Sequence, residues 1–496
     1  MTPSNELFLL IKSLSRTEKG YFKKFASRHS SEGNSKYLKI FEEIEKQNSY
    51  NEESLKKSIG NEISGKNFPA AKAYLYGIIL RSLNSFYISS NKDNELKESL
   101  RSIEILYRKA LYVQCLRMVK KKKAESYKYD NYLQTLELIR WEKNLIHEGA
   151  YSGKEMDNLE KLYEEEQVII NRLKNLSNLR ILSYRISNSV VKEETPEHKA
   201  KIKKMLSNPM LADENMYTSY LEKINYNHIK SSLYIQSSDN ISSHKHKKRI
   251  IELMEENEVI IKDNPVNYII SLSNLLSACV DLNHSEEFTL YLNKLSSIMN
   301  TNKDLTENTK VLAFMGEALP VLKMKLKNDT FLLADTALKN IEDGLVKYRG
   351  KFNKHDETLC LYLLMVIYFK EHNFEKSLSA VNRILKENDD QISPEAVINT
   401  RIFNLLLHYE LGNVQLLEHL ADSYERYFEL REDIDSVQKI ILKFFKKLTR
   451  QNKKSEARNV IAETKKKLEL IKQSQPYISI FEYFDLISYF DNKIPS

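Results

Sequence analysis

Apolar residues along this chain recur three and four apart in long stretches, and polar clusters interrupt them about every forty residues. Near the start, Leu7, Leu10, Ile11 and Leu14 share one helical face. Ser15 with Glu18 three positions later has the form of a helix start and leads into Tyr21, Phe22 and Phe25. Residues 27–36 are polar and include Gly33, which predicts a loop, and residues 37–46 are amphipathic again through Leu38, Phe41 and Ile44. A short helix holding Leu55 and Ile59 is broken by residues 60–66, and Pro69 opens a strong helix over 70–88, where proline suits the first turn. These unequal helices predict a distinct N-terminal module over residues 1–90.

From about residue 91 the pattern becomes a rhythm of helical hairpins. Glu371-His372-Asn373-Phe374, Leu411-Gly412-Asn413-Val414 and Gln451-Asn452-Lys453-Lys454 each follow an apolar helix and open another. Earlier polar breaks fall near Asp329, His284, Asp239, Glu194, Gly149 and Ala110. Steps of about 40 to 45 residues accommodate two helices of about five turns each and their loops. Residues 359–369 are apolar at all eleven positions. A helix with no polar face is buried all round, so this one is expected to be an inner helix packed on its partner and both neighbouring repeats.

The segment from Tyr368 to Leu378, with its turn at Asn373-Phe374 and small Ser377, resembles a tetratricopeptide repeat, and Leu411-Gly412-Asn413-Val414 has the same form. The resemblance is to a degenerate version, because that family repeats at 34 residues and its Trp and Pro landmarks are missing. It implies an all-α fold: a right-handed α-solenoid of about nine antiparallel hairpins over residues 91–474, preceded by the small helical module. The N-terminal phrase from Leu7 to Phe25 resembles the opening of uncharacterised bacterial proteins of this build, a likeness that carries no activity.

Composition agrees with long helices and few tight turns. The 496 residues include only 11 Gly and nine Pro, against roughly 7% and 5% in an average protein. The net charge of +8 is uneven. Residues 1–90 hold 14 Lys and Arg against 9 Asp and Glu, and residues 91–200 hold 21 against 18. That gradient permits an acidic partner near the N-terminal end, without the dense clustering of a nucleic-acid binder. Cys115, Cys279 and Cys360 are far apart in apolar contexts, which argues for free thiols and a reducing, cytoplasmic setting. The apolar run 7–11 follows Glu6 and is too short for a signal peptide, and no uncharged stretch reaches membrane-spanning length.

Candidate chemistry is sparse. The chain has no G-x-G-x-x-G, H-E-x-x-H or G-x-S-x-G motif. Gly344, Gly350 and Lys351 approach a phosphate loop, but the spacing is one residue too long and Phe352 stands where a hydroxyl must bind magnesium. His244 and His246, with His228 upstream, are metal-ligating types, yet residues two apart point to different sides of a helix and Lys247, Lys248 and Arg249 repel a cation. Neither a metal nor a cofactor is expected. The lysine run 120–123 and the Glu164-Glu165-Glu166 run are expected to be solvated faces.

Two regions offer interaction surfaces. Residues 475–496 are expected to form an aromatic-rich C-terminal helix in which Tyr477, Phe481, Phe484, Tyr489 and Phe490 are the candidate docking residues. It either tucks into the groove of the last repeats or serves as a partner-docking or homodimer surface. In the N-terminal module, residues 55–88 have a loose helix-turn-helix outline in which Lys66, Lys72 and Arg81 would meet phosphates. The leading expectation is a non-catalytic scaffold or adaptor for a protein or peptide. The alternative is a transcriptional regulator with a DNA-binding N-terminal module and a peptide-sensing repeat body.

Overall fold

The computed structural model describes residues 3–28, 34–59, 67–88, 91–149, 155–188, 195–301, 305–328, 335–386, 394–429, 436–449, 454–474 and 483–493. Among them the fold is all-α, with twenty-four α-helices, two 3-10 turns and no strand. None of these helices is long and apolar enough to cross a membrane. The chain divides into two compact units. Unit 1 comprises Met1–Ile181, Tyr217–Glu222 and Lys262–Asn264; unit 2 comprises Leu182–Met216, Lys223–Ile261 and Pro265–Ser496.

Unit 1 opens with α1 (Pro3–Ser13), α2 (Arg16–Arg28), α3 (Asn34–Lys46), α4 (Glu52–Ile59) and α5 (Phe68–Tyr87). Ser15 and Glu18 make reciprocal bonds at the start of α2: the Ser15 amide donates to the Glu18 carboxylate at 2.6 Å, and the Glu18 amide to Ser15 Oγ at 3.2 Å. This capping box satisfies two amides that the helix itself leaves open. The five helices share one core, with Leu7, Phe22, Phe41, Leu55 and Leu75 among its buried side chains. The next helices are α6 (Lys92–Arg108), α7 (Tyr112–Lys128), α8 (Tyr132–His147) and α9 (Glu155–Ser187). Their cores form separately around Ile103, Cys115 and Leu138 and around Tyr132, Ile139 and Ile169. The lysine run does more than face solvent. Lys123 is held between Glu142 and Glu165, which joins the basic run to the triple-Glu run, and Lys143 meets Glu166 of the latter at 2.7 Å.

The remaining helices are α10 (Pro196–Leu206), α11 (Tyr220–Gln236), α12 (Asn240–Glu255), α13 (Glu258–Asp263), α14 (Val266–Leu282), α15 (Ser285–Thr301), α16 (Glu307–Lys327), α17 (Asp335–Lys347), α18 (Lys354–Lys370), α19 (Phe374–Lys386), α20 (Pro394–Glu410), α21 (Val414–Glu429), α22 (Ser436–Thr449), α23 (Lys454–Ser474) and α24 (Leu486–Asp491). From α14 onward the packing is serial. Helix α14 touches α15 and α16, α16 touches α18, α18 touches α19 and α20, and α20 touches α21 and α22. Each first helix therefore meets its own partner and the first helix of the next pair, as stacked helical repeats do. In α18, Cys360 through Phe369 are all buried, matching its uninterrupted apolar sequence.

One backbone device closes six of the helices. Ala110, Asp130, Ser238, Asn283, His372 and Gly412 all have positive φ, between 51° and 70°. After each, the following amide bonds the carbonyl five residues back at 2.8–3.0 Å, as from Asn373 to Tyr368 and Asn413 to His408. This is the Schellman closure of a helix C-terminus. Five positions beyond each left-handed residue stands a buried side chain: Cys115, Thr135, Ser243, Phe288, Ser377 and Leu417. At two of these the side chain bonds the carbonyl twelve residues earlier in the facing helix: Cys115 Sγ to Ile103 at 3.5 Å and Ser377 Oγ to Met365 at 2.8 Å. The turns near residues 329 and 194, and the one at 451–453, lie outside the described residues. The near-phosphate-loop glycines have other roles. Gly344 lies inside α17 where a Cβ would come within 2.1 Å of the Phe314 ring, and Gly350 has φ 78° at the turn that follows.

Candidate functional site

The terminal residues of unit 2 lie along the first helices of its last hairpins. The expected single helix is not continuous here: Phe484 and Asp485 are non-helical, and Asp485 instead caps the short α24 by accepting from the Ile487 and Ser488 amides. Residues four apart then share a face, so Leu486 and Phe490 turn inward together. The Tyr483 ring lies 6.0 Å from Lys323 Nζ of α16. Phe484 meets Phe369 of α18 edge-on at 5.3 Å and Phe403 of α20 at 5.1 Å. Tyr489 packs 5.8 Å from Phe369 and donates its hydroxyl to Glu410 of α20, whose carboxylate also accepts from Lys493 at 2.8 Å. Phe490 packs on Phe444 of α22 at 4.9 Å. One short segment thus spans four successive first helices with aromatic anchors and an ionic clamp.

Of the sequence-predicted docking residues, Phe484 and Phe490 are buried in this groove and Tyr489 is half-buried at its edge. Burying each phenylalanine contributes about 1.5–3 kcal/mol, and each edge-on ring pair about 0.5–1.5 kcal/mol more. Tyr477 and Phe481 lie outside the described residues. The groove walls, Phe369, Phe403, Phe444 and Glu410, were not singled out from sequence. Each sits in a helix already predicted to be apolar, where a ring that receives a segment from far along the chain looks like any core ring.

Two members of the N-terminal basic set, Lys72 and Arg81, lie among the described residues. Lys66 lies outside the described residues. Lys72 is buried, with Nζ bonded to Glu52 at 2.6 Å and to the Tyr50 hydroxyl at 3.3 Å, and it stands over the Phe68 ring. Arg81 is exposed and donates to the Gly77 carbonyl one turn back.

The histidines of α12 part company, as residues two apart must. His246 turns toward α11, where Nδ1 lies 2.7 Å from Asn227 Oδ1 and the ring stacks on Tyr234. Burial pushes its pKa down to about 4. His228, on α11, lines a polar cavity of about 170 Å³ with Ser231, Ser232, Lys247 and Asn274. His244 turns the other way. Its Nε2 lies 2.8 Å from Glu287 Oε2 on α15 and 3.8 Å from the Cys279 thiol on α14. His284, in the turn between those helices, places Nδ1 3.6 Å from the same Glu287 oxygen. Burial lowers the His244 pKa despite the pull of Glu287. For Glu287, burial favours the neutral acid, but the Lys248 hydrogen bond and the adjacent imidazoles outweigh it and the pKa falls.

No family model, curated protein or solved structure matches this chain.

Proposed function

We propose that this chain is a non-catalytic scaffold that binds a protein or peptide along the groove walled by α16, α18, α20 and α22. The observation that carries the reading is the seating of Tyr483 to Lys493 in that groove. Aromatic pockets alternating with a charged clamp are the features by which helical grooves hold short segments. The hairpins are then a degenerate, tetratricopeptide-like array, right-handed and of about nine repeats, working in the cytoplasm. The inward commitment of Lys72 to Glu52 leaves the nucleic-acid alternative without a specific observation in its favour.

The chain's own terminal segment is the natural probe. A labelled peptide of residues 483–496 is expected to bind a chain truncated after residue 482 and to be excluded from the full chain, as read by fluorescence anisotropy. Should truncation lower the melting temperature into the assay range, the full chain carrying Phe484→Ala and Phe490→Ala replaces it. A folded chain with a vacated groove that ignores the peptide would overturn the reading.

A further inference from the structure

We propose that His244, His284 and Glu287 form a binding site for one divalent transition-metal ion of the zinc type, which clips one hairpin to the next. The donors are His244 Nε2, His284 Nδ1 and a Glu287 carboxylate oxygen, all within 4.8 Å of one another. Two donors on one tetrahedral zinc ion stand about 3.3 Å apart, given bonds of about 2.0–2.1 Å. The separations of 2.8 Å and 3.6 Å from Glu287 Oε2 bracket that value, so small side-chain rotations admit the ion. Two imidazoles and a carboxylate are a donor set that zinc and its first-row neighbours accept.

The surroundings are arranged for it. Lys248 Nζ bonds Glu287 Oε1 at 2.9 Å, which orients the carboxylate and leaves Oε2 to face both imidazoles. Lys248 is also half-exposed, so water screens its charge from a cation at Oε2. The other cations of the basic run are directed elsewhere: Arg249 pairs with Glu214, Glu252 and Glu256, and Lys247 lines the polar cavity with His228. His284 is itself fixed by the helix closure, its amide bonding the Cys279 carbonyl at 2.9 Å.

The fold does not require this set. The places of His284 and Glu287 in the other closures are taken by Leu111 and Gln114, Asn131 and Gln134, Asp239 and Ser242, Asn373 and Lys376, and Asn413 and Leu416. The turn forms in every case, so the turn alone does not explain a histidine and a glutamate here. Because His244 comes from α12 and the other two ligands from the α14–α15 hairpin, a bound ion cross-links successive repeats.

The test uses the full chain without an affinity tag, stripped with a chelator and titrated with zinc against a chromophoric competitor. One equivalent should bind and the melting temperature should rise with zinc. His284→Asn and Glu287→Gln, measured separately, should each weaken binding by at least the roughly tenfold that losing even an outer partner costs, with zinc-free melting of His284→Asn close to the parent. His372→Asn, at a closure lacking the other ligands, should bind like the parent. His284 is half-exposed, so its variant remains informative even if Glu287→Gln fails to fold. A parent chain that takes up no stoichiometric zinc, or a folded His284→Asn chain that binds it undiminished, overturns the proposal.

Discussion

Glu52 gathers three donors at one carboxylate: Lys56 at 2.8 Å, Lys72 at 2.6 Å and the Tyr50 hydroxyl at 3.0 Å. The Lys56 hydrogen bond first, and then that of Lys72, bring its pKa down to about 2. A carboxylate depressed in the folded state contributes stability above its ordinary value near 4.5, and that contribution is lost as pH falls toward 2. Glu52→Gln should therefore melt below the parent at pH 6, with the gap narrowing steadily in melts at pH 4, 3 and 2. A constant gap would show that the charge is not what Glu52 contributes. The same cluster shows what sequence could not supply. Lys72 is one of several basic residues near a helix-turn-helix outline, and nothing local distinguishes a lysine facing a phosphate from one folded onto a glutamate twenty residues earlier. The capping box at Ser15 and Glu18 was legible because both partners lie within one turn.

The repeating element is the closed helix end, and its legibility divides along the same line. Asn373, Gly412 and Asn413 announce their turns because Asn and Gly favour left-handed or capping geometry. The closures at Ala110 and Ser238 use the same backbone bonds with residues that give no such signal. Asp130 was missed altogether, and the 20-residue step between it and Ala110 departs from the expected spacing. A better marker would have been the buried side chain five residues past each turn, but its identity varies from Cys to Phe. Ala110 is exposed and adopts φ 55°, where a Cβ costs about 1 kcal/mol or slightly more. Relief of that cost is partly offset by glycine's greater freedom in the unfolded chain, so Ala110→Gly is expected to stabilise the α6–α7 hairpin by about 0.5 kcal/mol net in denaturant melts; clear destabilisation would contradict the left-handed closure there.

Across unit 2 the first helices form a continuous series, so damage to one should spread. Leu363 is fully buried at the middle of α18, which touches α16, α19 and α20. Burying a carboxylate there without a partner costs several kcal/mol. Leu363→Asp should lose helicity well beyond the 17 residues of α18, measured as far-UV circular dichroism against the parent. A loss confined to a single helix, or none, would argue against a stack. The all-α character and the inner position of α18 were readable because an unbroken apolar helix has one physical solution. The groove was not, because it depends on residues 369, 403 and 444 meeting residues 46 to 115 positions later. That terminal segment also sets a threshold on the proposed ligand. A tethered occupant competes at an effective concentration of about millimolar, whatever its intrinsic affinity. If it holds its own groove closed 99% of the time, a free ligand's apparent affinity falls about a hundredfold. A multivalent or locally concentrated partner would cross that threshold while a dilute single peptide would not, so the groove would respond to crowding of its ligand more sharply than to its mere presence.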